Sequence, residues 1–122
     1  MTTKKILVID DDPICSGVLL AIIGDAHQVI SANSGSSALE ILTTFKPDLI
    51  LLDINMPNIN GYQVVKLVKN NPLTENIPII ILSGLTEESD KEFGLRIGAD
   101  HYLTKPIMPD EIERTIKQYL GH

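Results

Sequence analysis

Five short apolar runs divide this chain, and they constrain its fold more than any other feature. They are "KILVI" (5–9), "HQVISA" (27–32), "DLILL" (48–52), "IPIIIL" (77–82) and "HYLT" (101–104). The first, third and fourth are continuously aliphatic, as expected of central parallel strands covered on both faces. The segments between them repeat their apolar residues at helical spacing. Asp12 and Pro13 read as N-cap and first residue of a helix that turns Ile14, Val18, Leu19, Ile22 and Ile23 inward. Ser34 opens a second, with Ala38, Leu39, Ile41, Leu42 and Phe45 inward, ending before Pro47. Asn60 precedes a third carrying Val64, Leu67 and Val68. Thr86 caps a fourth, with Phe93 and Ile97 inward and Gly98 at its end. Pro109 begins a fifth with Ile112, Ile116, Tyr119 and Leu120. Strand and helix alternating five times predict an α/β fold with a parallel sheet and right-handed crossovers.

The bulk numbers fit that reading. At 122 residues there is room for one domain with a proper core, and 1–122 is expected to be a single domain with no effector domain attached. Sixteen acidic against ten basic side chains give a formal charge of −6, which disfavours non-specific binding to nucleic acid or anionic membranes. The lone cysteine, Cys15, falls in an apolar helical pattern and reads as an unreactive thiol in a reducing, cytoplasmic setting. His27, His101 and His122 are scattered, with no zinc-site spacing. No run approaches membrane-spanning length, and "MTTKK" leads straight into a strand.

Ligands of open parallel sheets bind at the carboxyl ends of the strands. Asp10, Asp11 and Asp12 follow the first strand, Asp53 and Asn55 the third, Ser83 and Gly84 the fourth, Lys105 and Pro106 the fifth. Singly, each has an ordinary explanation: Asp12 as a helix cap, Ser83–Gly84 as a turn, Lys105 as a surface lysine. Jointly they deliver acids, a hydroxyl and an amine to one edge. Two like charges ~4 Å apart repel by about 4 kcal/mol at an effective dielectric near 20, so Asp10, Asp11 and Asp53 together call for a cation. Hard carboxylate oxygens suit Mg²⁺. A carboxylate nucleophile, a divalent metal, an ammonium and a hydroxyl are the parts needed to accept a phosphoryl group.

With "ILVIDDD", "PDLILLDINMPNINGYQ", "PIIILSG" and "GADHYLTKPI" in this order, the chain resembles the receiver domain of two-component response regulators over essentially its whole length. The resemblance implies a flavodoxin-like, doubly wound sheet of five parallel strands in the order 2-1-3-4-5 with five helices; the strand order is the handed-down one for this fold and is not read from the residues. It implies that Asp53 takes a phosphoryl group from the phosphohistidine of a histidine kinase or phosphotransfer protein. It further implies that Asp11, Asp53 and the Asn55 carbonyl hold Mg²⁺, with Asp10 acting through water. Lys105 and Ser83 would each meet a phosphoryl oxygen, and the Lys105–Pro106 bond would be cis. Tyr102 matches the aromatic that turns inward as Ser83 follows the phosphoryl group. Leu85 and Asn55 sit where variation tunes phosphoryl lifetime.

The expected function is a phosphorylation-dependent switch that catalyses only its own phosphorylation and dephosphorylation. Its output is expected through protein contact at helix 4, strand 5 and helix 5, around Lys91, Leu95, Tyr102 and Ile107. A phosphohydrolase of the haloacid-dehalogenase type also uses an aspartyl nucleophile and Mg²⁺. It places a second acid two residues further on, where this chain has Asn55, which cannot act as general acid or base. A flavin or dinucleotide carrier on the same fold would need a G-x-G-x-x-G after the first strand, and none is present.

Overall fold

The computed structural model describes residues 4–54, 61–84 and 88–121. Its elements run β1 (Lys5–Ile9), α1 (Pro13–Ile23), β2 (Gln28–Ala32), α2 (Gly35–Ile41), β3 (Leu49–Asp53), α3 (Gly61–Lys69), β4 (Ile79–Ser83), α4 (Glu88–Arg96), β5 (His101–Thr104) and α5 (Pro109–Leu120). All strand pairings are parallel, and the order is β2-β1-β3-β4-β5. The expected fold class is borne out.

The alternation of side chains along each strand builds a core on either face of the sheet. Leu7, Ile9, Ile50, Leu52, Ile79 and Ile81 meet α2 and α3 through Ala38, Val64, Val65 and Val68. Ile6, Val8, Leu49, Leu51, Ile80 and Leu82 meet α1 and α5 through Leu19, Ile23, Ile112 and Ile116. β1, β3 and β4 are thus covered on both sides, which is why they read as unbroken aliphatic runs. Burying each such side chain contributes about 1.5–3 kcal/mol before entropy is counted. The result is a rigid mount for whatever stands at the strand ends.

Local signals set the helix ends. The Asp12 carboxylate accepts from the Ile14 amide at 2.9 Å, and Ser34 Oγ from the Ser37 amide at 3.1 Å, as the two expected caps should. α2 stops at Ile41, short of the expected run to Pro47. The Thr43 and Thr44 hydroxyls donate back to the Glu40 and Ile41 carbonyls and close its last turn, while Phe45 still packs on the core. After α4, Gly98 has φ 125°, a conformation that side chains disfavour, and the Ala99 amide returns to the Gly94 carbonyl at 3.2 Å. The expected roles of Asn60 and Thr86 lie outside the described residues.

Some apolar residues are not where periodicity put them. Ile14 is 76% exposed and Val18 49%, although both were expected inward. At ~100° per residue they lie about 140° and 100° around α1 from the buried Leu19, beyond a single inward stripe. Leu67 is 49% exposed for the same reason, with Val65 buried instead. Phe93 is 42% exposed because Gly94 is the inner residue of α4; Phe93 meets Tyr62 edge to face at 4.8 Å.

Candidate functional site

The site is the carboxyl edge of β1, β3, β4 and β5. β3 ends on Asp53 itself and β4 on Ser83, so both side chains are fixed by strand geometry rather than by a loop. Asp53 is 4% exposed and in register with Leu82 of β4. Asp10 follows β1 and its amide still donates to the Ala32 carbonyl at 3.0 Å, which extends the sheet by one bond and buries the side chain. The Lys105 amide donates to the Ser83 carbonyl at 2.7 Å, tying the end of β5 to that of β4, and the Lys105–Pro106 peptide is cis as expected.

One oxygen from each of Asp10, Asp11 and Asp53 lies within 4.8 Å of the others. Asp10 Oδ1 accepts from the Asp12 amide at 2.9 Å, while Asp10 Oδ2 is buried with no hydrogen-bond donor among the described residues. Lys105 Nζ stands 3.3 Å from Asp53 Oδ1. Burial pushes the Asp10 carboxyl up to about 6; the Asp12 amide works against that and the Asp53 charge adds to it. Burial alone would lower the Lys105 ammonium, but Asp53 and Asp10 outweigh it, so its pKa lies above the ordinary lysine value. A buried carboxylate oxygen without a donor, among crowded acids, costs free energy that a bound cation would recover. The donor set is all hard oxygen, so it fits Mg²⁺.

The structure therefore brings together Asp10, Asp11, Asp53, Ser83 and Lys105. Asn55 and Leu85 lie outside the described residues. Tyr102, on edge strand β5, is half-buried and packs on the α2–α3 side of the sheet, its ring held against Gly94. Ile107, also in the expected output surface, is partly buried and packs on the α1–α5 face. The reason is the alternation along β5: Tyr102 and Leu103 point to opposite sides, and the chain into α5 follows Leu103.

Periodicity alone missed an apolar flank. Ile14, Cys15, Val18, Leu19, Leu82, Pro106 and Ile107 line a groove of about 530 Å³ that opens beside Asp10 and Lys105. The signal was present in the sequence, since α1 carries more apolar residues than one ~100° stripe can hold. Cys15 sits in this groove with its thiol pKa raised by burial, in keeping with an unreactive cysteine.

The family model for the response regulator receiver domain matches residues 6–117. Protein PilH of Pseudomonas aeruginosa is 37% identical over 118 residues, covering 96% of this chain and 98% of that one. Other curated relatives are longer, and the chain spans from 23% to 53% of the length of four of them. A putative response regulator from Chloroflexus aurantiacus superposes with a TM-score of 0.93 at 33% identity, over 99% of this chain and 100% of that one. The receiver domain of sensor histidine kinase PA1611 from Pseudomonas aeruginosa, solved with a magnesium ion coordinated in its active site cleft, gives 0.90 at 25% identity over 99% and 100%. The phosphohydrolase alternative finds no support in these matches. A sheet that ends in three clustered acids and a lysine, matched almost end to end by the family model, places this chain in the response regulator receiver domain family of two-component signalling.

Proposed function

We propose that Asp53 is the phosphoacceptor of this receiver and that Asp10, Asp11 and Asp53 hold Mg²⁺ beside it. The observation that carries the reading is the buried Asp53 carboxylate at the tip of β3, with Lys105 at 3.3 Å and two further acids close by. An Asp53 oxygen would attack the phosphorus of a donor phosphohistidine. The new P–O bond forms as the P–N bond breaks and the imidazole leaves. Lys105 holds a fixed positive charge where the transferred oxygens gather, and Ser83 offers a hydroxyl from the neighbouring strand end. When bound, the metal would neutralise charge on the phosphoryl oxygens and on the acids that surround it. The Asn55 carbonyl completes the proposed ligand set.

The donor is a histidine kinase or phosphotransfer protein. The exposed apolar side chains of Ile14 and Val18, beside the opening to Asp10 and Lys105, offer such a partner a dry contact next to the nucleophile. Output is assigned to the α4–β5–α5 side, where Leu95 is 45% exposed, Lys91 lies at the surface and Tyr102 stands half-buried on β5. Beyond catalysing its own phosphorylation and dephosphorylation, no metabolic reaction is assigned to the chain. Among the described residues no helix is long and apolar enough to cross a membrane, and a cytoplasmic setting is proposed with no nucleic-acid partner.

The test is incubation with Mg²⁺ and acetyl phosphate, followed by intact-mass and peptide mapping. One phosphoryl group should appear on Asp53, and Asp53→Asn should abolish it. Label that persists in that variant on a serine or histidine would overturn the assignment.

A further inference from the structure

We propose that Gly61, the first residue of α3, is a positioning residue for phosphoryl transfer: its bare Cα lets α3 close onto the Asp53–Ile54 peptide and so fixes the Asp53 carboxylate. This rests on the reading of Asp53 as the acceptor.

A Cβ placed on Gly61 would stand 2.7 Å from Ile54 Cα, 2.8 Å from Ile54 Cδ1 and 2.9 Å from the Asp53 carbonyl oxygen. Two of these three atoms are backbone and cannot rotate away. The Gly61 amide also donates to the Ile54 carbonyl at 3.2 Å, which ties the start of α3 to the residue after β3. From the other side, the Ile54 amide donates to the Leu82 carbonyl at 3.3 Å. The peptide that follows the nucleophile is therefore held between β4 and α3.

Backbone conformation does not explain the glycine. Its φ lies outside the left-handed region, unlike that of Gly98 or Gly121. Alanine is the better helix former by about 1 kcal/mol in a helix interior, so intrinsic propensity does not favour glycine either. Gly17 and Gly84 show the contrast, since a Cβ on either would meet nothing within 4 Å. What glycine supplies at position 61 is closeness. A methyl group there would displace the Asp53–Ile54 peptide or α3 by roughly half an ångström, and a misplacement of ~1 Å at a reacting group can cost about a hundredfold in rate.

The experiment measures the rate of phosphorylation by acetyl phosphate at saturating Mg²⁺ for wild type, Gly61→Ala, the double variant Gly61→Ala/Ile54→Val, and Thr74→Val. Thr74→Val removes a buried hydrogen bond to the Val68 carbonyl, far from the site, and controls for lost stability. Gly61→Ala should phosphorylate about tenfold more slowly. Ile54→Val removes only the Cδ1 contact, so the double variant should stay as slow as Gly61→Ala, because the two backbone contacts remain. Thr74→Val should lose stability and keep the wild-type rate. A wild-type rate in Gly61→Ala, or a rate restored by Ile54→Val, would overturn the proposal. Hydrogen exchange on the wild type gives a test that needs no variant to fold. The Gly61 amide should be protected to the same degree as that of Ile54, and a freely exchanging Gly61 would also overturn it. Asp53→Asn run in parallel keeps the two readings apart, since label persisting there would bring down the acceptor assignment instead.

Discussion

The two ends of the sheet each carry a lysine–aspartate pair, and they are built to opposite standards. At the amino edge, Lys69 Nζ reaches Asp100 Oδ2 at 2.9 Å, the Ile77 carbonyl at 2.8 Å and the Glu75 carbonyl at 3.3 Å. Asp100 Oδ2 also accepts from the Ile79 amide at 2.9 Å. That cluster ties α3, the entry to β4 and the turn into β5 together with its charges and donors matched. At the carboxyl edge, Lys105 meets Asp53 at a looser 3.3 Å, two more acids crowd in, and a buried Asp10 oxygen has no hydrogen-bond donor among the described residues. The difference teaches where to look for function. A satisfied cluster stabilises, whereas an unsatisfied one on a rigid mount is kept for something that binds.

Breaking the amino-edge cluster should give the largest stability change. Lys69→Met orphans two carbonyls and half of an ion pair. The pair is partly exposed, so the expected cost is about 2–3 kcal/mol, below the ~3–5 of a fully buried one. Denaturant unfolding should show that loss while the rate of phosphorylation by acetyl phosphate stays at the wild-type value.

At the carboxyl edge the sign reverses. The folded state raises the Asp10 pKa from 3.8 to about 6 when no metal is bound, so it binds that proton more tightly than the unfolded chain. The associated stability is fully present below about pH 4 and is lost as pH rises through about 6. Metal-free unfolding at pH 7 should therefore find Asp10→Asn more stable than wild type by on the order of 2 kcal/mol, with a flatter pH profile between 4 and 6. Profiles of stability against pH with equal slope for the two proteins would show that Asp10 is not the group responsible.

A smaller effect separates the chemistry from the signal. Ser83→Ala leaves the nucleophile, the acids and Lys105 in place, so acetyl phosphate should still label Asp53. It should lose most of the phosphorylation-dependent gain in affinity for a target peptide, a coupling of typically ~1–3 kcal/mol. Equal gains for phosphorylated wild type and variant would route the signal through Lys105 rather than through Ser83 and Tyr102.

The carboxyl-edge half of this asymmetry was legible in the sequence. Unbroken aliphatic runs marked the doubly covered strands, and acids directly after them marked the functional edge. Asp12, Pro13 and Ser34 announced their helix starts through cap chemistry that depends on nearest neighbours alone. What stayed hidden depends on contacts across the fold. Ile14 and Val18 follow a helical repeat, and only the placement of α1 on the sheet decides that Leu19 and Ile23 take the inward stripe. Phe93 was drawn inward by its hydrophobicity, but the space beneath α4 belongs to Tyr102 and Ile81 and admits only Gly94. Lys69 and Asp100 are thirty-one residues apart and carry no local signature. Gly61 reads as an ordinary turn former until the approach of α3 to Ile54 is measured.

The claim that the carboxyl edge gives up stability for function is tested most directly by unfolding wild type and Asp11→Ala at pH 7, without metal and then at saturating Mg²⁺. Without metal, removing one of the crowded acids should raise stability by about 1 kcal/mol. At saturating Mg²⁺ the gain should vanish, because the ion stabilises the wild-type fold by mass action and binds the variant less well. An Asp11→Ala protein that is less stable than wild type in the absence of metal would contradict the account.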